Sequence, residues 1–221
     1  MEISPKTSDA TKAKLIEAAG EVFSQRGFRS ATVREICHRA GAPIGAINYH
    51  FRDKKGLYTA VLEYSHQASM RKYPPEFGLR PGASPEEKLR AFIHSFLLRH
   101  SDEGVPAWHM KLIAQEIYDP TSGLNQLAKN SLRPLYKYLV GILYELFQEG
   151  EGKAPEDEES QVIFLCAMSI IGQCFHYFTG KRIMATLHPK QFNPADIDRI
   201  ANHITRFSLN GIREISGKRS R

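Results

Sequence analysis

The sequence predicts an all-α protein: a small head of three short helices followed by a larger helical body. Three observations predict it. Apolar residues recur at helical spacing in nearly every segment, caps, prolines and glycines bound those segments, and no stretch of useful length alternates with the period of a β-strand. No internal repeat or low-complexity tract interrupts the pattern.

The first helix spans residues 11–26. Leu15, Ala18, Ala19, Val22 and Phe23 share one face, and Gly27 supplies a C-terminal stop. Thr32 and Glu35 then form a capping box in which hydroxyl and carboxylate satisfy each other's orphan amides, ahead of Val33, Ile36, Cys37 and Ala40 on one face. That short helix closes at Gly41. Only Ala42 and Pro43 precede a third short pattern carrying Ala46, Ile47 and Phe51. Two short helices joined by so tight a glycine-containing turn must cross steeply, which is helix-turn-helix geometry.

Residues 54–73 predict a longer helix with Leu57, Tyr58, Val61, Leu62 and Ser65 inward, terminated by Pro74 and Pro75. The Pro/Gly-rich stretch 74–84 is the candidate junction within the chain. Ser84, Pro85 and Glu87 start the next helix with an N-cap, a first-turn proline and an N3 acid, and Leu89, Phe92, Ile93, Phe96 and Leu97 form its stripe. A helix over 106–118 carries Leu112, Ile113 and Ile117 and ends at Asp119 and Pro120. A long run over 121–149 follows, kinked or split at Pro134. The acidic piece 150–158 reads as an exposed connection. Residues 162–179 are apolar nearly all round and need cover on more than one side. The last helix starts at the signal 193–196, with Ile197, Ile200, Ile204, Phe207 and Ile212 as its stripe. Residues 1–56 are thus taken as the helix-turn-helix head and 57–221 as the helical body.

Composition narrows the function classes. With 42% hydrophobic and 24% charged residues the chain is ordinary globular material. The N-terminal residues are polar, and no stretch approaches ~18 uninterrupted apolar residues, so a cytoplasmic, membrane-free protein is expected. Cys37, Cys166 and Cys174 lie in apolar helical patterns without metal-site spacing, so they read as core residues and neither metal nor cofactor is expected. The net charge is +6, concentrated at the ends. Residues 1–56 hold ten Lys/Arg against six Asp/Glu, and Lys218, Arg219 and Arg221 close the chain. No Walker A loop, GxSxG elbow, HExxH helix or dinucleotide turn is present, so an enzyme is not expected.

The run 32–58, TVREICHRAGAPIGAINYHFRDKKGLY, resembles the DNA-binding signature of the TetR family of bacterial regulators, and the similarity spans roughly residues 11–65. The rest resembles, less specifically, the branch with a CecR-like C-terminal domain, at residues 44–47 and 175–183. Pro43 stands where most members place Ser or Thr, and Ile44 where a basic residue is common. The resemblance implies that helix three enters the major groove of double-stranded DNA. With Ile47 and Phe51 facing inward, Ile44, Gly45, Ala46, Asn48 and Tyr49 are left for DNA. Asn48 suits adenine, Ile44 or Ala46 a thymine methyl, and Gly45 a close backbone approach. Tyr49, His50 and Lys54 resemble the family's phosphate contacts, and Thr32 adds donors at a helix N-terminus. Alternatively, Tyr49 and His50 brace the start of helix four. Lys54 and Lys55 are either a solvated helix start or, since lysines oppose the helix dipole there, ligands of an external anion.

Each head reads few base pairs, so a homodimer on a palindromic operator is expected, joined through the helices at 162–179 and 197–212 in a four-helix interface; the other reading is that these helices form only an intramolecular core. For a small-molecule effector the sequence offers Trp108, His109, Met110, Gln115, Tyr118, Phe175, His176 and Tyr177. These either line a cavity or are plain core. The rival non-catalytic reading, an adaptor whose head has left DNA, is opposed by Thr32, Tyr49 and Lys54.

Overall fold

A computed structural model describes residues 5–101, 106, 108–148, 160–193 and 195–217, with side chains from residue 8 onward. Among the described residues every regular element is helical: α1 (Pro5–Ser30), α2 (Val33–Ala40), α3 (Gly45–Phe51), α4 (Lys54–Lys72), α5 (Pro85–Ser101), α6 (His109–Tyr118), α7 (Ser122–Leu127), a π turn (Ala128–Leu132), α8 (Arg133–Gln148), α9 (Gln161–Thr179), α10 (Lys181–Leu187) and α11 (Ile197–Ile215). The all-α expectation holds. The basic tail, the acidic connection and Pro194 of the last start signal lie outside the described residues.

Local signals explain most boundaries. Gly27, at φ 74°, breaks α1 where the periodicity ends. Gly41 closes α2 in the left-handed conformation, φ 62°, a geometry that costs glycine least. At Ser84 the capping box is complete: the Glu87 amide donates to Ser84 Oγ and the Ser84 amide to Glu87 Oε2. At Thr32 only the hydroxyl half is in place. The Glu35 amide donates to Thr32 Oγ1 at 3.2 Å, while the Glu35 carboxylate accepts from Arg26 Nε at 2.8 Å. A nearby guanidinium outcompetes the amide for that carboxylate. The run 121–148 is split as expected, but by the π turn ahead of Pro134. The short helix α10 has no counterpart in the periodicity.

The chain forms two compact units, and they do not follow a boundary at residue 56. The first combines Met1–Ser69 with Glu103–Leu132; the second combines Met70–Asp102 with Arg133–Arg221. In the first unit Leu15, Phe23, Ile36, Ile47, Leu57 and Tyr58 share one core with Trp108, Leu112 and Leu127. Gly20 explains the long-range part. A Cβ there would lie 2.2 Å from the Trp108 ring, so only glycine lets the indole rest on α1. Ile117, by contrast, lies on the solvent side of α6.

A buried polar knot ties α4 to α6 and α7. Tyr58 Oη donates to Glu116 Oε1 at 2.7 Å, and the amide and hydroxyl of Thr121 donate to the same carboxylate. Burial, then the bond to Glu116, push the Tyr58 phenol well above its usual range. Glu116 is 1% exposed, and its side chain meets three donors. This is how a buried polar group is satisfied.

In the second unit α5 packs against α8, α9 and α11. Leu89, Phe92 and Ile93 meet Leu139, Leu143, Ile163, Ile170 and Ile204 in its core. Arg99 is buried among them, its Nη1 donating to the Tyr73 carbonyl at 2.6 Å and to Ser95 Oγ. Desolvation lowers its pKa to about 10, which leaves it charged at neutral pH. By length and composition α9 passes for a membrane span, although Ser169, Gln173 and His176 interrupt it. Its inner face, Ile163, Ala167, Ile170 and Cys174, belongs to this core.

The Gly20–Trp108 contact yields a stability test. Gly20→Ala is expected to lower stability by about 1–3 kcal/mol through overpacking, read from the midpoint of urea unfolding. In combination with Trp108→Leu, which removes the ring, the loss should be clearly smaller than the sum of the two single losses.

Candidate nucleic-acid interface

α3 is the shortest segment with a demanding task. Its inner face is fixed by Ile47, fully buried, and Phe51, nearly so. The outer face carries Ile44, 58% exposed, with Gly45 and Asn48, also exposed, and Tyr49 at 73%. Ala46 and His50 are half-buried, and Ala46 leans on the core of the first unit. The helix begins at Gly45, with Ile44 as an N-cap residue that offers no side-chain acceptor. Pro43 stands one residue outside, its carbonyl accepting from the Ala46 amide at 2.9 Å. The first-turn amides of α3 therefore lack a side-chain cap.

The Tyr49 and His50 rings meet edge to face at 4.8 Å, so one ring steadies the other at the surface. Gly45 has open space where a Cβ would stand. Thr32 is exposed at the start of α2. Its oxygen accepts from Glu35, leaving the hydroxyl proton for an external acceptor.

Lys54 requires a correction. Its ammonium donates to the carbonyls of Phe28 at 3.0 Å, Arg29 at 3.3 Å and Ala31 at 3.0 Å, and lies 4.7 Å from the Phe28 ring centroid. Lysine has three donors, and all three are engaged. The Lys54 ammonium thus sits at the carbonyl-rich end of α1, where a cation is favourable. The junction between α3 and α4 is equally constrained. Arg52 adopts φ 74°, the Gly56 amide donates to Asp53 Oδ1 at 2.7 Å, and a Cβ on Gly56 would lie 2.1 Å from the Phe51 carbonyl oxygen.

Periodicity does not single out Arg34 on α2 or Arg52 after α3. Both are exposed, and among the described residues neither takes part in an ion pair. By contrast Arg26, Arg29 and Arg39 are held by Glu35, Asp119 and Glu21. The charge excess of the N-terminal residues is the signal that points to such free cations.

The grouping expected for a sensing pocket is not what the structure brings together. Trp108, His109, Met110, Gln115 and Tyr118 belong to the first unit, Phe175, His176 and Tyr177 to the second. Trp108 and Met110 are buried, and Trp108 rests on Gly20. His109 Nδ1 shares a hydrogen bond with Ser65 Oγ at 2.8 Å, and Gln115 Nε2 donates to the Ser24 carbonyl. Tyr118 is 79% exposed, and Phe175 leans on the core of the second unit. His176 and Tyr177 line a cavity of about 760 Å³. Spacing on single helices put these residues in one group because it cannot tell which helices share a core.

Comparison with known proteins identifies the family. Residues 15–61 match the family "Bacterial regulatory proteins, tetR family", and residues 85–212 match "HTH-type transcriptional dual regulator CecR, C-terminal domain". The transcriptional repressor NicS of Pseudomonas putida is 26% identical over 182 residues, covering 81% of each chain. The transcriptional regulator BetI of Escherichia coli is 29% identical over 129 residues, 58% of this chain and 65% of that one. In fold, the chain resembles FadR of Bacillus subtilis in complex with stearoyl-CoA, with a TM-score of 0.63 at 24% identity, covering 90% of this chain and 98% of that one. It also resembles the fatty acid degradation regulator FadR of Bacillus halodurans, with a TM-score of 0.65 at 17% identity, covering 96% and 99%. The chain belongs to the TetR family of DNA-binding transcriptional regulators, in the branch with a CecR-type C-terminal domain, and it is not an enzyme.

Proposed function

We propose that the protein is a cytoplasmic repressor that binds a palindromic operator as a homodimer and leaves it when a small molecule binds the second unit. The observation that carries the reading is the two-sidedness of α3: Ile47 and Phe51 buried, Ile44, Asn48 and Tyr49 exposed. Asn48 reads adenine, Ile44 packs on a thymine methyl, Ala46 sits beside it, and Gly45 lets the backbone approach the base edges. Tyr49, His50, Thr32, Arg34 and Arg52 meet phosphates. Lys54 acts from behind, holding α4 and hence α3 against the end of α1.

The dimer reading rests on α9 and α11. Each buries one face, yet Phe164, Leu165 and Met168 on α9 and Phe207 and Ile215 on α11 are exposed, Leu165 at 54% and Phe207 at 64%. Between the two helices runs a groove of about 270 Å³ lined by Val162, Leu165, Ile170, Phe207 and Ile212 among others. Such a surface matches the apolar core of a subunit interface. A second copy would complete a four-helix interface and set two α3 helices at half-sites about 34–36 Å apart, or a multiple. Effector release requires only that the ligand bind the non-operator conformation more tightly, and it shifts the equilibrium by no more than that difference.

The reading is tested by fluorescence anisotropy on DNA from the protein's own upstream region. Asn48→Ala should weaken operator binding by roughly 5- to 150-fold, corresponding to about 1–3 kcal/mol, and relax the preference at one position per half-site. Lys54→Gln should lower stability by about 1.5–3 kcal/mol while leaving the salt dependence of binding unchanged. A slope reduced by about one would return Lys54 to the phosphate contacts. Leu165→Glu, at an exposed site, should yield folded monomers by light scattering with greatly weakened operator binding; a variant that stays dimeric would exclude this interface.

A further inference from the structure

The cavity of about 760 Å³ lies wholly within the second unit, between the C-terminal half of α9, α10, the loop after α10 and the first turns of α11. Its volume falls in the range of small-molecule sites, roughly 300–1,000 Å³. From this cavity we infer the binding site of an amphipathic organic anion: an apolar, ring-containing body with one acidic head. The inference deepens the effector reading above and rests on it only for the consequence of binding, not for the site itself.

The lining carries the argument. His176, His188, Arg199 and His203 face the cavity from three stretches of chain, α9, the loop after α10 and α11, and among the described residues no carboxylate lines it. Every imidazole carries at least one N–H, and guanidinium has only donors, so the wall offers donors and positive charge. Arg199 is also pre-positioned. Its Nε pairs with Asp196 Oδ2 at 3.0 Å and its Nη2 donates to the Gln191 carbonyl at 3.1 Å. These contacts fix the guanidinium plane and leave Nη1 for a ligand oxygen. The described residues hold no cluster of His, Cys, Asp or Glu able to grip a metal ion, so the three histidines read as separate donors.

The remaining wall supplies the apolar half. Tyr177 and Phe192 lie nearly parallel, 17° apart with centroids 6.4 Å apart, and the apolar lining exceeds the polar. A compact inorganic anion would leave that wall unfilled, and a neutral hydrocarbon would displace water from the donors without pairing them. A molecule with both parts satisfies both halves. Gly172, in the lining, leaves open space where a Cβ would stand.

The test uses two probes on the full-length protein. 1-Anilinonaphthalene-8-sulfonate has the predicted chemistry, and N-phenyl-1-naphthylamine is the same body without the charge. Arg199→Gln combined with His203→Gln should weaken binding of the sulfonate at least tenfold and of the neutral probe less than twofold. Gly172→Phe, which fills the cavity, should weaken both. Circular dichroism and thermal melting verify that each variant folds; the altered residues are exposed or face open space. Sulfonate binding untouched by Gly172→Phe, or charge variants that weaken both probes alike, would overturn the assignment. Operator anisotropy with the sulfonate bound is read separately. Binding that leaves the operator complex intact would refute effector release at this cavity while supporting the site itself.

Discussion

A helix of seven residues cannot hold its own shape in water, because nucleation costs more than two turns of hydrogen bonds return. The function of this protein nevertheless depends on where α3 points. Its own contribution is Ile47 and Phe51, two side chains driven into a core that α1, α2 and α4 provide. Everything else that orients it is supplied from outside. Gly41 turns the chain into it, Gly56 lets α4 begin against its last carbonyl, and Lys54 fastens α4 to the end of α1. The Trp108 indole, lodged on Gly20, adds α6 to the same core. Much of the first unit therefore serves to make one exposed strip of side chains rigid.

What the sequence disclosed follows from the range of the forces involved. Helix starts at Thr32 and Ser84 and stops at Gly27 and Gly41 are decided within four residues, so they were legible. The inward stripes of α4 and α5 were legible because each repeats over several turns against a single partner. The role of Lys54 was not, because its acceptors lie 23 to 26 residues away and nothing in the lysine's neighbourhood announces a helix end. Trp108 was hidden for the same reason, with Gly20 far upstream. The sensing residues are divided between the two units. Aromatics at helical spacing are common to cores and cavities, and only the fold shows that Trp108 is core in one unit while His176 lines a cavity in the other.

The second unit makes a complementary point about α9. Its sequence is apolar nearly all round, which by composition alone resembles a membrane span as much as a core helix. Its packing on α5, α8 and α11 covers one side only, and Phe164, Leu165 and Met168 remain outside. A contiguous apolar strip of this kind is costly to leave in water. On a member of this family the economical cover is a second α9 with its α11. In the proposed dimer that same cover would provide the two-fold symmetry a pair of reading heads needs.

The composition of α3 has a further consequence for how recognition is divided. Apart from His50 the helix carries no basic residue, and Ile44 occupies an exposed position where a basic residue is common in the family. Salt-dependent affinity comes from cations displacing counterions at phosphates, so α3 itself contributes little of it. In the proposed operator complex that share falls to exposed cations on the flanking elements, Arg34 and Arg52 foremost. On the proposed reading the α3 strip instead contributes what charge does poorly: an amide that distinguishes adenine, apolar surface that distinguishes thymine, and a glycine that lets both come close. Affinity and discrimination are then carried by different residues, so changes on α3 alter which sequence is bound, while changes to the flanking arginines alter how strongly any sequence is bound.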